Sequence, residues 1–196
     1  MKNIILVTLA FCLFGFAPAR ADEYKMDDAA MKQMMERSMP GDQHKVLDGL
    51  AGSWDYTVSF KMAPDAPEQT STGTSENKWV LDGRFIQQTV SGTMDMGQGP
   101  QKFEGVGYVG HDNVKGKYVS TWMDNMVTGI MVADGTYNPT TKTIKESGQF
   151  FCPMKNAEVQ FESELTFVDA THVTYAMYDT SAPEKFKAME IKYTKK

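Results

Sequence analysis

Histidine, cysteine and methionine are the side chains of this 196-residue chain best suited to metal or proton chemistry. Met94-x-Met96 and Met123-x-x-Met126 have the spacing that soft Cu(I) sites use, and Cys152-x-Met154 sets a thiol beside a thioether. With 15 methionines in the chain, the simpler expectation is packing, because methionine is a flexible filler of apolar cavities and adaptable pockets. No resident cofactor is therefore expected, and copper stands as the minority reading. The three histidines are His44, His111 and His172. His44 precedes a short helix and is expected to make a structural hydrogen bond, His111 lies beside a turn, and His172 begins a strand. A literal G-x-G-x-x-G occurs at Gly105, Gly107 and Gly110, but a dinucleotide site needs that loop to open a helix, and here another strand follows. H-E-x-x-H, P-loop, paired C-x-x-C and G-x-S-x-G motifs are absent from the sequence, which removes the usual routes to zinc hydrolysis, nucleotide binding and serine acyl transfer. Carboxylates such as Glu162 and Glu164 alternate outward, and spacing singles out no acid–base pair.

The elements that must position these groups follow from composition and periodicity. A hydrophobic fraction of 41% with 23% charged residues is that of an ordinary globular chain, of a size that suggests one domain. The formal charge of −5 works against nucleic acid and anionic lipid as partners. Residues 1–21 read as a secretory signal: Lys2, an apolar run from Ile4 to Phe16, and Ala19-Arg20-Ala21 as cleavage site. A periplasmic or secreted product is expected, not an integral membrane protein. Cys12 would leave with the signal, so Cys152 has no internal disulfide partner and is expected to be a partly buried strand residue. Residues 22–42 form a helical segment in this reading, and residues 43–196 a β domain.

Met31, Met34 and Met35 recur at helical spacing within Asp27 to Ser38, before the stop at Pro40-Gly41. Asp42 is the expected N-cap of a second helix, Gln43 to Leu50. From Trp54 the period becomes two: Trp54, Tyr56, Val58, Phe60 and Met62 alternate with Asp55, Thr57, Ser59 and Lys61. About ten such runs follow one another, the sixth beginning at Val127, with short connections and no helix between them. Short loops favour antiparallel neighbours, and an open meander would expose two long edges. The expected architecture is all-β, a closed antiparallel meander barrel of about ten strands. The two N-terminal helices are expected across one mouth, with the methionine face as plug and lid.

The run His44-x-x-Leu47-x-x-Leu50-x-Gly52-x-Trp54 resembles a bacterial domain-of-unknown-function family of exported proteins. Its members look like calycins, the lipocalin-, fatty-acid-binding-protein- and nitrobindin-like barrels. Gly107-Tyr108-x-Gly110-x-Asp112, followed by Tyr118-x-x-x-Trp122-Met123-Asp124, is similar to the same family's central hairpin. The likeness spans Gln43 to Tyr193. It implies that Trp54, like the tryptophan of the lipocalin Gly-x-Trp element, closes the base of the barrel. A nitrobindin-like member would hold haem through a histidine near its C-terminal strands; strand ten has none, and His172 is the one substitute.

A barrel of eight to ten strands leaves an interior that side chains fill or share with one ligand. The expected function is non-catalytic binding of a small apolar or amphipathic molecule, with Tyr56, Val58, Phe60, Trp79, Trp122, Phe161, Leu165, His172 and Tyr178 as interior candidates. An enzyme would need convergent polar groups inside, for which the sequence offers His172, Tyr178 and Trp122. A filled barrel acting through its surface in the cell envelope is the third reading.

Overall fold

The computed structural model describes residues 27–95, 99–182 and 184–196. The signal reading of residues 1–21 and Met96 lie outside them. Ten antiparallel strands form one closed barrel: β1 (Gly52–Phe60), β2 (Gln69–Val80), β3 (Phe85–Asp95), β4 (Pro100–Asp112), β5 (Lys117–Asp124), β6 (Met131–Asn138), β7 (Thr143–Cys152), β8 (Ala157–Phe167), β9 (His172–Asp179) and β10 (Phe186–Lys195). Each strand pairs with its neighbours in sequence, and β1 closes the ring on β10, from Trp54 opposite Lys195 to Phe60 opposite Met189. Closure satisfies the backbone groups that an edge strand would leave unpaired. The alternating burial of β1, with Trp54, Tyr56 and Val58 inside and Asp55 and Thr57 outside, follows the period read from the sequence.

Left-handed backbone marks the turns. Leu81, Asp82 and Gly83 carry the chain from β2 to β3, and Asn156 leads into β8, all at positive φ. The sixth strand starts at Met131 rather than Val127. Asp124 explains the delay: its carboxylate accepts the Met126 N–H at 2.9 Å and turns the chain into a loop before pairing with β5 begins.

Two helical segments precede the barrel. In α1 (Asp28–Ser38), Asp27 caps the N-terminus by accepting the Ala30 N–H at 2.6 Å. None of its residues is buried, and Met35 is 59% exposed. The expectation of a methionine plug is thus corrected. The mouth is closed instead by α2 (Asp42–Lys45) and the 3-10 helix Val46–Leu50, whose Leu47 and Leu50 are buried with Trp54, Ile86, Tyr118, Ile144 and Val173. Leucines at i and i+3 lie on one face of this short element and reach the core, whereas the α1 methionines look outward. Asp42 is not the N-cap either. Gly41 holds that place, and Asp42 pairs with Lys45 at 2.8 Å.

Gly52, between the plug and β1, has φ +124°, and a Cβ there would stand 2.9 Å from Lys195 Cε. Only glycine adopts this backbone at low cost.

Candidate functional site

The barrel's two ends differ. At the end where β1 begins, polar bonds weld the plug to the wall. Trp54 Nε1 and Asn77 Nδ2 both donate to the Leu50 carbonyl at 2.9 Å, Trp79 Nε1 donates to Asp48 Oδ1 at 3.0 Å, and the Tyr118 hydroxyl donates to the Gln43 carbonyl at 2.9 Å. Burial pushes the Tyr118 phenol up to about 12, so it stays a donor. His44 Nδ1 accepts the Gly41 N–H at 3.1 Å. Its ring meets His111 edge-on at 5.8 Å, and His111 meets Tyr118 in the same way at 5.0 Å.

Towards the other end most inward side chains are apolar and less deeply buried. Phe60, Met94, Phe103, Trp122, Phe150, Met177 and Met189 stand on the inward-facing side of their strands, yet all are only half-buried. Inward glycines shape this half. Trp122 folds over Gly105 and Gly107, where a Cβ would collide with its indole, and its Nε1 donates to Asp124 Oδ2 at 2.9 Å. Tyr56 likewise lies over Gly73 and Gly92. The glycines of the G-x-G-x-x-G string thus seat aromatic rings, with Gly110 under Phe85 on the outer face.

Between the halves lies a polar belt. Gln88 Nε2 donates to Ser75 Oγ at 3.2 Å and to the Tyr193 hydroxyl at 3.3 Å. Ser75 in turn donates to Asn77 Oδ1 at 2.7 Å. Across the lumen Ser120 donates to Glu146 Oε2 at 3.1 Å. Glu146 faces Gly135 on β6 and Ser163 on β8, and both its Oε1 and Ser163 Oγ are buried without a hydrogen-bond partner. Burial pushes the Glu146 carboxyl up from its ordinary range; Ser120 and Ser163 oppose the shift, and Asp134 adds to it. Ser163 acts there by proximity, short of a bond of normal geometry. Beside them on β9, burial also raises the Tyr175 phenol, with Ser163 opposing. Tyr175 and Tyr193 sit mid-barrel on the inward faces of β9 and β10, half-buried.

Of the interior candidates, Tyr56, Val58, Phe60, Trp122 and Phe161 face the lumen, and Trp79 and Leu165 pack against the sealed end. His172 and Tyr178 do not. In β9 it is Val173, Tyr175, Met177 and Asp179 that turn inward, so the opposite set, His172, Thr174, Ala176 and Tyr178, faces out. His172 is bonded to Asp169, and Lys185 lies over the Tyr178 ring at 4.7 Å. Both phases of β9 carry apolar residues, and the bulkier set took the core. The residue suggested for haem is therefore outside the lumen and cannot serve as an axial ligand there. The copper candidates are dispersed. Met94 points inward on β3, Met123 outward on β5, Met126 and Met154 are exposed on separate loops, and Cys152 is buried at the end of β7.

Sequence reasoning passed over Glu146, Ser163 and Tyr175. Alternation alone exposes the first: Ile144, Glu146, Gly148 and Phe150 share one face of β7.

Fold and site define a closed ten-stranded β-barrel with one end plugged by its own N-terminal helices and with half-buried apolar side chains facing inward towards the other. The chain belongs to the family described as Protein of unknown function (DUF1579), whose model matches residues 39–195. Among solved structures it is similar to Rv2717c from M. tuberculosis, with 14% identity and a TM-score of 0.59 over 81% of this chain and 99% of that one. That likeness shows the fold. A redesigned β-barrel aligns with a TM-score of 0.38 at 14% identity, over 79% of this chain and 95% of its own. No curated protein matches the chain. Among the described residues no helix is long and apolar enough to cross a membrane.

Proposed function

We propose that this protein is exported, with cleavage after Ala21, and that it binds a small amphipathic molecule in the open half of its barrel without catalysing a reaction on it. The observation that carries the reading is the contrast between the two ends. Inward side chains beside the plug, such as Trp54, Ile86, Tyr118 and Ile144, are fully buried, while Phe60, Phe103, Trp122 and Met189 keep accessible surface at the far end. Aromatic and methionine walls suit an apolar body of variable shape. The polar belt below them suits a head group.

Titration with N-phenyl-1-naphthylamine, a neutral apolar fluorophore, tests it. One-to-one saturable binding to the native state is expected. Phe103→Trp, which narrows the mouth, should weaken binding at least tenfold while leaving the far-ultraviolet circular dichroism unchanged. Absence of saturable binding to the folded protein would overturn the reading.

A further inference from the structure

We propose that Glu146 and Ser163 form the anchor for a hydroxyl head group, so that the ligand of the barrel is an alcohol rather than a fatty acid. The inference rests on the ligand-binding reading above and specifies the chemistry of that site. Its basis is geometric. Glu146, 8% exposed, and Ser163, 1% exposed, are cross-strand partners on β7 and β8, and each holds an oxygen without a hydrogen-bond partner. A buried polar atom left unpaired costs free energy that a complementary ligand group returns on binding. The pair offers an acceptor in the carboxyl and a hydroxyl that both donates and accepts. A ligand hydroxyl matches both at once, giving its hydrogen to Glu146 and taking one from Ser163.

Position favours the same assignment. On the register of the barrel, Ser163 stands opposite Met177 and Glu146 two residues before Gly148, where the belt gives way to the apolar half. Phe150 and Phe161, 6.1 Å apart, line the wall towards the mouth. Gly135, opposite Glu146, has no room for a side chain. Glu146 therefore has a backbone rather than a side chain beside it on β6. Carboxylate ligands are disfavoured there. Neither ion pairs nor cation–ring contacts bring a lysine or arginine to Glu146 among the described residues, and its one charged influence is Asp134.

The test compares decan-1-ol, decanoate and decane, identical in chain length, by displacement of N-phenyl-1-naphthylamine from the full protein at pH 7. Decan-1-ol is expected to bind at least tenfold more tightly than either of the others. In Glu146→Leu this preference should vanish while decane binding is kept. Glu146→Gln, which adds a donor, should recover decan-1-ol and admit decanoate, and it keeps the proposal testable where the Leu variant fails to fold. Equal affinity for all three, or an alcohol preference that survives in both variants, would overturn the anchor and leave the ligand-binding reading standing. Failure of the fluorophore itself to bind would overturn both.

Discussion

Trp54 and Asn77, from neighbouring strands, donate hydrogen bonds of equal length, 2.9 Å, to one carbonyl oxygen, that of Leu50. The last residue of the plug is thereby held by the first inward residue of β1 and by a buried side chain of β2. Both lone pairs of that carbonyl are used, and the indole completes the core cluster at the sealed end. Trp54→Ala would remove the bond and leave a cavity the size of an indole, a loss of about 3–5 kcal/mol for a fully buried aromatic. Denaturant unfolding should show a lowered midpoint. Coincident curves would mean that the plug is not stabilised by this residue.

Gly52 is the hinge from plug to barrel. Gly52→Ala would force a Cβ onto backbone at φ +124° and against Lys195, a conformation that costs L-residues about 1–3 kcal/mol. A thermal midpoint several degrees below that of the wild type is expected. Gly129→Ala, in the loop before β6 with open space around it, should change stability by less than ~0.5 kcal/mol and serves as the control.

His44 makes the sealed end sensitive to acid. Burial, then His111 and Arg84, hold its pKa below the ordinary 6.5, and its Nδ1 is occupied as an acceptor. The unfolded chain therefore takes up a proton before the folded one does. Stability contributed by neutral His44 is present above pH 6.5 and is lost as the pH falls through its folded value. His44→Asn, whose carbonyl replaces the acceptor, should flatten this part of the stability profile between pH 7 and pH 5. An unchanged slope would show that His44 does not titrate differently on folding.

Glu146 gives a dependence of the opposite sense. Its folded pKa lies above the ordinary 4.5 because burial disfavours the charged form. Below pH 4.5 both states are protonated. As the pH rises, the unfolded chain ionises first, and folding stability declines until the folded pKa is passed. Glu146→Gln should therefore be more stable than the wild type at pH 7, with the advantage shrinking towards pH 4 in thermal melts. A variant less stable than the wild type at pH 7 would show that the charged form is well accommodated.

Removal of α1 should leave the barrel intact. Its residues are unburied, and its attachments are peripheral: Asn113 Nδ2 donates to the carbonyls of Arg37 and Met39 at 3.0 and 2.8 Å. A chain beginning at Met39 should unfold within ~1 kcal/mol of the full one and bind N-phenyl-1-naphthylamine equally well. A large loss of either would show that the methionine face packs where the structure leaves it exposed.

Much of the architecture was legible in the residues themselves. The switch from helical to two-residue period at Trp54 marks where the barrel begins, and the short connections compel sequential antiparallel pairing, because both are local properties of the chain. Tyr56, Val58 and Phe60 alternate with polar neighbours, so their inward phase is unambiguous. In β9 both phases carry apolar side chains, and only competition for space in the closed barrel placed Val173 and Tyr175 inside and His172 and Tyr178 outside. The α1 methionines have helical spacing but no partner surface within reach, something no periodicity can reveal. Glu146 shows the same division. Its phase on β7 could be read from Ile144 and Gly148, and its place beside Ser163 follows from the β7–β8 hairpin, but the burial that leaves both oxygens unpaired comes from the closed ring. Period is written in consecutive residues, whereas burial and hydrogen-bond satisfaction depend on groups far apart in the chain that meet only when the ring closes.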